Sequence, residues 1–141
     1  MYHGIHCSTR GRALPARTYH CHSACWRRCP LSRLDLQSHT LTAETLAGKG
    51  YSLVLNDLGP ADQTEEAVRK LGAELMQAPA DISIEQDVVK LAERTLSRFG
   101  RVDVLVNNAG ISLISSAVDT SLELWRRVMD VNLTGPFLLS R

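Results

Sequence analysis

From Thr42 onward, short apolar runs alternate with segments of helical spacing, and this alternation restricts the chain to very few architectures. "TAETLAG" places Ala43, Leu46 and Ala47 on one helical face, with Gly48 or Gly50 available to end the helix. "YSLVLND" follows as a short, largely apolar strand, the pattern of a parallel sheet covered on both faces. "ADQTEEAVRKLG" sets Ala67, Val68 and Leu71 among charges and closes at Gly72; "AELMQAPADIS" predicts another strand, ending before Pro79. Ser83 stands three residues before Gln86, a capping-box spacing, and Val88, Val89, Ala92, Leu96 and Phe99 then recur at helical intervals up to Gly100. "RVDVLVNNAG" is the strongest strand signal in the chain. Asp119 or Ser121 can cap a last helix carrying Leu122, Trp125, Met129 and Leu133. Strands separated by helices of this length make βαβ units, which predicts an α/β fold: part of a doubly wound, Rossmann-like parallel sheet.

The first 41 residues are written differently. Arg10, Arg12, Arg17, Arg27, Arg28 and Arg33 face a single acid, Asp35, and all four cysteines lie there, although the whole chain carries a net charge of only +1. That balance favours neither nucleic acid nor a membrane surface as partner, and no apolar run is long enough for a spanning helix. The composition divides the chain into an irregular segment, residues 1–41, and the partial Rossmann domain, residues 42–141. For the first segment three readings stay open: sequence without a fold of its own, an arginine-rich organelle-targeting leader, or a metal site. Cys21, His22, Cys25 and Cys29 are soft ligands, but zinc sites need a second ligand pair and none follows Cys29, so no metal is expected. Nothing resembles a secretory signal, which makes the cytoplasm the expected compartment; a mitochondrial location goes with the leader reading.

In doubly wound sheets ligands bind beyond the carboxyl ends of the strands. Three such ends carry suggestive residues. In "VLNDLG", Asp57 can accept hydrogen bonds from the ribose hydroxyls of an adenine dinucleotide and would repel a ribose phosphate, which favours NAD over NADP; Leu58 follows it in the turn. A solvated turn aspartate is the plainer reading. In "APADIS", Asp81 can hold an adenine amino group while Ile82 packs on the ring, or Asp81 can simply lead into a helix cap. "LVNNAG" is less ordinary: two amides and then two very small residues suit a place where backbone approaches a flat ligand closely. Asn107 would there tie neighbouring strands together through its amide.

"LVNNAGIS", taken with "VMDVNLTGPF", resembles the short-chain dehydrogenase/reductase family; "AGKGYSLVLNDLG" and "ADIS" stand in the order that family requires. The resemblance covers roughly Thr42 to Arg141. It implies NAD(P)-dependent oxidoreduction, with hydride passing between nicotinamide and a small carbonyl or alcohol substrate, and NAD the cofactor that Asp57 favours. It also implies that Asp57, Leu58, Asp81, Ile82, Asn108, Ala109 and Gly110 line the adenosine site. Asn132 matches the asparagine of the family's catalytic Asn-Ser-Tyr-Lys tetrad, which holds a proton-relay water. The helix from about Ser121 would pack on a second copy, making a homo-oligomer.

Pro136 fits that picture physically. A proline there lacks the N–H that would bond the carbonyl of residue 132 and crowds the same carbonyl, so the helix should open at Asn132.

Two family elements have no counterpart. The slot for the glycine-rich TGxxxGxG turn, which presents backbone N–H groups to pyrophosphate, reads "RCPLSRLDLQSHTL". Tyr2, Tyr19 and Tyr51 stand before the family's YxxxK position, and none has a lysine four residues on. The expectation is an incomplete chain, from a truncated or mis-spliced coding sequence, that neither binds dinucleotide tightly nor turns over substrate alone. The alternative function is that of a catalytically inactive fragment, without activity or pairing with full-length relatives. In the family's strand order the missing first strand lies between two others, so its loss predicts two apolar edges facing a gap.

Overall fold

A computed structural model of the chain describes residues 3–8, 34–59, 61–112 and 115–141. Four strands, β1 (His3–Ser8), β2 (Ser52–Asp57), β3 (Leu75–Gln77) and β4 (Val104–Val106), form one sheet in the order β3-β2-β1-β4. The helices are α1 (Leu34–Gly48), α2 (Asp62–Lys70), α3 (Glu85–Phe99), α4 (Leu122–Met129) and α5 (Gly135–Ser140). A π-helical segment, Asp130–Thr134, joins the last two. Cys21, His22, Cys25 and Cys29 lie outside the described residues. Among those described, no group of His, Cys, Asp or Glu side chains has a metal-binding arrangement, and no helix is long and apolar enough to cross a membrane.

Successive residues of β2 point to opposite faces, and this builds the two layers. Leu53 and Leu55 pack with Ala43 and Ala47 of α1, Val68 of α2 and Val104 of β4. Val54 turns the other way, onto Leu91 of α3 and the alanines 78 and 80 that follow β3. All six residues of β2 are buried, as its unbroken apolar text implied. Complete burial of Leu53 and Leu91 contributes about 2 kcal/mol each by area removed from water. β2 and β3 are parallel, with Leu53 beside Leu75 and Leu55 beside Gln77. The sheet is thus a partial doubly wound one.

The helices end where the sequence marks them. Asp62 and Glu65 begin α2 and Arg69 and Lys70 finish it, each charge complementing the helix dipole. Gly100 adopts a left-handed conformation (φ 76°) and donates its N–H to the carbonyl of Leu96, 2.7 Å away, which closes α3. Ser121, of the two candidates, caps α4: its Oγ accepts the Leu124 N–H at 3.1 Å. Ser83 does not form the predicted capping box. Its hydroxyl is spent on Asp81, and Ile84 occupies the cap position without a side-chain bond. The buried stripe of α3 also differs from the expected one, being Val88, Leu91 and Thr95; Val89 and Leu96 are about half exposed.

No gap separates β2 from β4. β1 fills it, running antiparallel to both neighbours, with His3 opposite Asp57, Ser8 opposite Ser52, and Ile5 opposite both Leu55 and Val106. Backbone N–H and C=O groups of two strand edges need partners, and any extended segment can supply them. Helical or strand periodicity in a six-residue polar-rich stretch such as "HGIHCS" is too weak to announce this.

Candidate functional site

The carboxyl ends of β2, β3 and β4 form one rim, fastened by a few specific contacts. Asn56, next to last in β2, is 1 % exposed and donates both of its amide hydrogens across to the loop after β3, to the carbonyls of Ala78 and Ala80, each at 3.0 Å. Its Oδ1 is buried without a hydrogen-bond partner among the described residues. Asp57 follows at the strand end, where Oδ1 accepts the N–H groups of Leu58 (2.6 Å) and Gly59 (3.3 Å). The carboxylate is buried in its own turn, while Leu58 is half exposed beside it.

Asp81 begins the turn into α3 and is held from two sides. Oδ1 accepts both the N–H (2.9 Å) and the hydroxyl (2.6 Å) of Ser83. Oδ2 pairs with Nη2 of Arg127 at 3.0 Å, and Nη1 of the same guanidinium donates to Ser83 Oγ at 2.8 Å. Burial alone would push the Asp81 carboxyl up. The Ser83 hydrogen bonds and the Arg127 charge outweigh it and hold the group below the ordinary aspartate range. Sequence reasoning passed over Arg127, which lies 46 residues from its partner, and no local pattern signals such a pair.

Ile82 does not offer its side chain as a platform. It is 1 % exposed and packs with Val88, Ala109 and Val131. Its other neighbour is Gly135: a Cβ added there would lie 2.8 and 2.9 Å from Cδ1 and Cγ1 of Ile82 and 3.3 Å from its carbonyl oxygen. Only a glycine lets the helix approach the turn this closely. The cause of the difference is the Gly135 groove itself, which offers an apolar side chain complete burial where the rim would leave it half wet.

After β4, Asn108 is exposed, Ala109 is 9 % exposed and Gly110 faces the π segment. Asn132 makes a two-pronged amide bond to the backbone of Ile111: its Oδ1 accepts the N–H at 2.8 Å and its Nδ2 donates to the carbonyl at 2.7 Å. A side chain on Gly110 would press on this clamp, with a Cβ 3.2 Å from Asn132 Oδ1. Asn107 does not tie strands together; its Nδ2 donates to Ser140 Oγ of α5 at 3.2 Å. The proline effect takes the form of a widened helix. Gly135 donates its N–H to the carbonyl of Asp130, five residues back, and α5 resumes with Pro136 in its first turn, where no N–H is needed.

The rim therefore gathers Ile82, Ala109, Gly110, Asn132 and Gly135 in one packed unit, with Asp81 at its edge. Asp57 and Leu58 stand two strands from β4 across β1, linked to the unit through Asn56. Such a rim stands where doubly wound α/β sheets place their ligands. A family model described as enoyl-(acyl carrier protein) reductase matches residues 40–141. The chain is 43% identical to human 3-hydroxyacyl-CoA dehydrogenase type-2 over 106 residues, 71% of this chain and 40% of that protein. It is 37% identical to glucose 1-dehydrogenase 2 of Bacillus subtilis (strain 168) over 100 residues, 68% of this chain and 39% of the relative. A crystal structure of a short-chain dehydrogenase/reductase from Burkholderia xenovorans superposes with a TM-score of 0.67 at 30% identity, over 72% of this chain and 39% of that one. The chain belongs to the short-chain dehydrogenase/reductase family, and it spans about two fifths of the length of these relatives.

Proposed function

We propose that residues 42–141 are the adenosine-binding side of an NAD-dependent oxidoreductase that moves hydride between nicotinamide and a small carbonyl or alcohol. The carrying observation is the dovetail at the rim, where Asn132 clamps Ile111 and Gly135 receives Ile82, so that the motifs after β3 and β4 face one place. In this reading Asp57 takes the ribose hydroxyls and disfavours a ribose phosphate. Asp81 takes the adenine amine, with the backbone of Ile82 beside it. Leu58, Asn108, Ala109 and Gly110 shape the walls, and Asn132 keeps the relay role that the family assigns to its asparagine.

The residues fit only half of the dinucleotide. Pyrophosphate needs a strand that ends at the rim in a glycine-rich turn and a helix N-terminus. Here β1 runs the other way and brings its first residue, His3, to Asp57, and no glycine lies between Gly11 and Gly48. No hydride step is therefore assigned to these residues. When bound in a complete relative, the nicotinamide supplies the hydride acceptor; what this chain's side chains do is select and orient the adenosine end.

A specific observation also favours the second reading, an inactive chain that pairs with another copy or a full-length relative. Leu122, Trp125, Leu133 and Phe137, along α4, the π-helical segment and α5, are all more than half exposed. The adenosine reading is tested by titrating the isotope-labelled chain. Millimolar adenosine should shift the amide signals of Ile82 and Gly110, and calorimetry with NAD should show no micromolar binding. Adenosine shifts confined to the surface between α1 and α2 would contradict the assignment of the rim, and micromolar NAD affinity would contradict the fit to only half of the dinucleotide.

A further inference from the structure

We propose that Arg127 is a positioning residue for the adenine site: from α4 it aims one oxygen of the Asp81 carboxylate, and so sets the preference for a base that carries an exocyclic amine. The inference rests on the reading of the rim as an adenosine site and adds to it a residue outside the motifs that suggested that reading.

A carboxylate offers about four acceptor positions. On Asp81 two are filled at Oδ1, by the N–H and hydroxyl of Ser83, and one at Oδ2, by Nη2 of Arg127. Among the described residues that leaves one position, on Oδ2. The bonds close a ring in which donation runs from Arg127 to Asp81 along two paths, one direct and one through Ser83. Arg127 Nη1 donates to Ser83 Oγ, the Ser83 hydroxyl donates to Asp81 Oδ1, and the other prong of the guanidinium returns to Oδ2. One prong of the planar fork holds the carboxylate and the other holds the serine that also binds it, so Arg127 fixes both at once in a way that a single ammonium cannot. Without Arg127, Ser83 still holds Oδ1, but Oδ2 loses its only anchor among the described residues and the carboxylate swings about the remaining bonds. The Asp81 side chain is 16% exposed, enough for an approaching amine and too little for water to screen the ring completely.

A purely structural Arg127, holding α4 against the turn after β3, would weaken every ligand of the rim alike. A positioning Arg127 acts on amine recognition in particular, and the comparison of adenosine with inosine, which has a carbonyl where adenosine has the amine, separates the two. In the full chain, followed through the amide signals of Ile82, Ser83 and Gly110, adenosine should bind about tenfold more tightly than inosine, the scale of one hydrogen bond to a charged group. In Arg127→Met the ratio should fall to within about twofold, and in Arg127→Lys, which keeps the charge but loses the fork, it should be intermediate. Dispersed amide spectra show that a variant is folded; should Arg127→Met not fold, Arg127→Lys decides alone, a reduced ratio supporting the proposal and an unchanged one ending it. Equal weakening of both nucleosides in either variant overturns it as well. If the unaltered chain binds neither nucleoside at the rim, the adenosine reading falls and takes this inference with it; if it prefers adenosine and the variants keep that preference, only the role of Arg127 falls.

Discussion

The rim after β3 and β4 and the slot filled by β1 are both places where the sheet had to be completed, and they are completed by different physics. At the rim each contact names a residue type. Asn132 matches both backbone polar groups of one residue, Gly135 admits Ile82, and Asn56 reaches two carbonyls at once. In the slot, β1 is joined to β2 and β4 through backbone pairing, in the direction opposite to both. Backbone hydrogen bonds are indifferent to sequence, so a strand edge accepts an extended segment that carries none of the expected text. A close approach of helix to turn has no such tolerance.

That contrast predicts a graded response to substitution. The largest effect belongs to Gly135→Ala. Ile82 is fully packed and cannot yield to a Cβ 2.8 Å away, so the variant should lose about 2 to 3 kcal/mol in urea unfolding. A loss below about 0.5 kcal/mol would mean that the groove is looser than described. Asn56→Ala comes next. It strands the carbonyls of Ala78 and Ala80 in a buried place and should cost about 2 kcal/mol, with faster amide exchange in β3. Equal protection of β3 in the variant and the parent would remove Asn56 from the account. The smallest effect is expected at His6→Thr in β1, where the ladder to Val54 and Leu105 is made by backbone; stability should change by less than about 1 kcal/mol. A larger loss there would dissolve the contrast between slot and rim.

Much of the fold was legible because it rests on local signals. Alternating text located β2, α2, α3 and β4, and the glycine at position 100 ended α3 where its left-handed backbone does. The motifs after β3 and β4 could be assigned to one sheet edge because parallel strands all end on the same side. What stayed hidden depends on pairs far apart in the chain. Ser83 looked like a cap, but its hydroxyl had a stronger claim from Asp81, itself fixed by an arginine on α4. Ile82 looked available to a ligand until Gly135 supplied a groove for it. Asn56 could have been noticed, as an amide inside an otherwise apolar strand is there to be satisfied across the sheet. The strand β1 could not, since nothing in "HGIHCS" distinguishes it from unpaired sequence.

The central claim is that the turn after β3, the turn after β4 and the widened helix meet at one rim. Nuclear Overhauser spectroscopy on the methyl-labelled chain tests it most directly. The account predicts cross-peaks from the Ile82 methyl groups to the α protons of Gly135, and from the Asn132 side-chain amide to the amide of Ile111. Well-dispersed spectra in which both pairs of signals are assigned and neither cross-peak appears would contradict it.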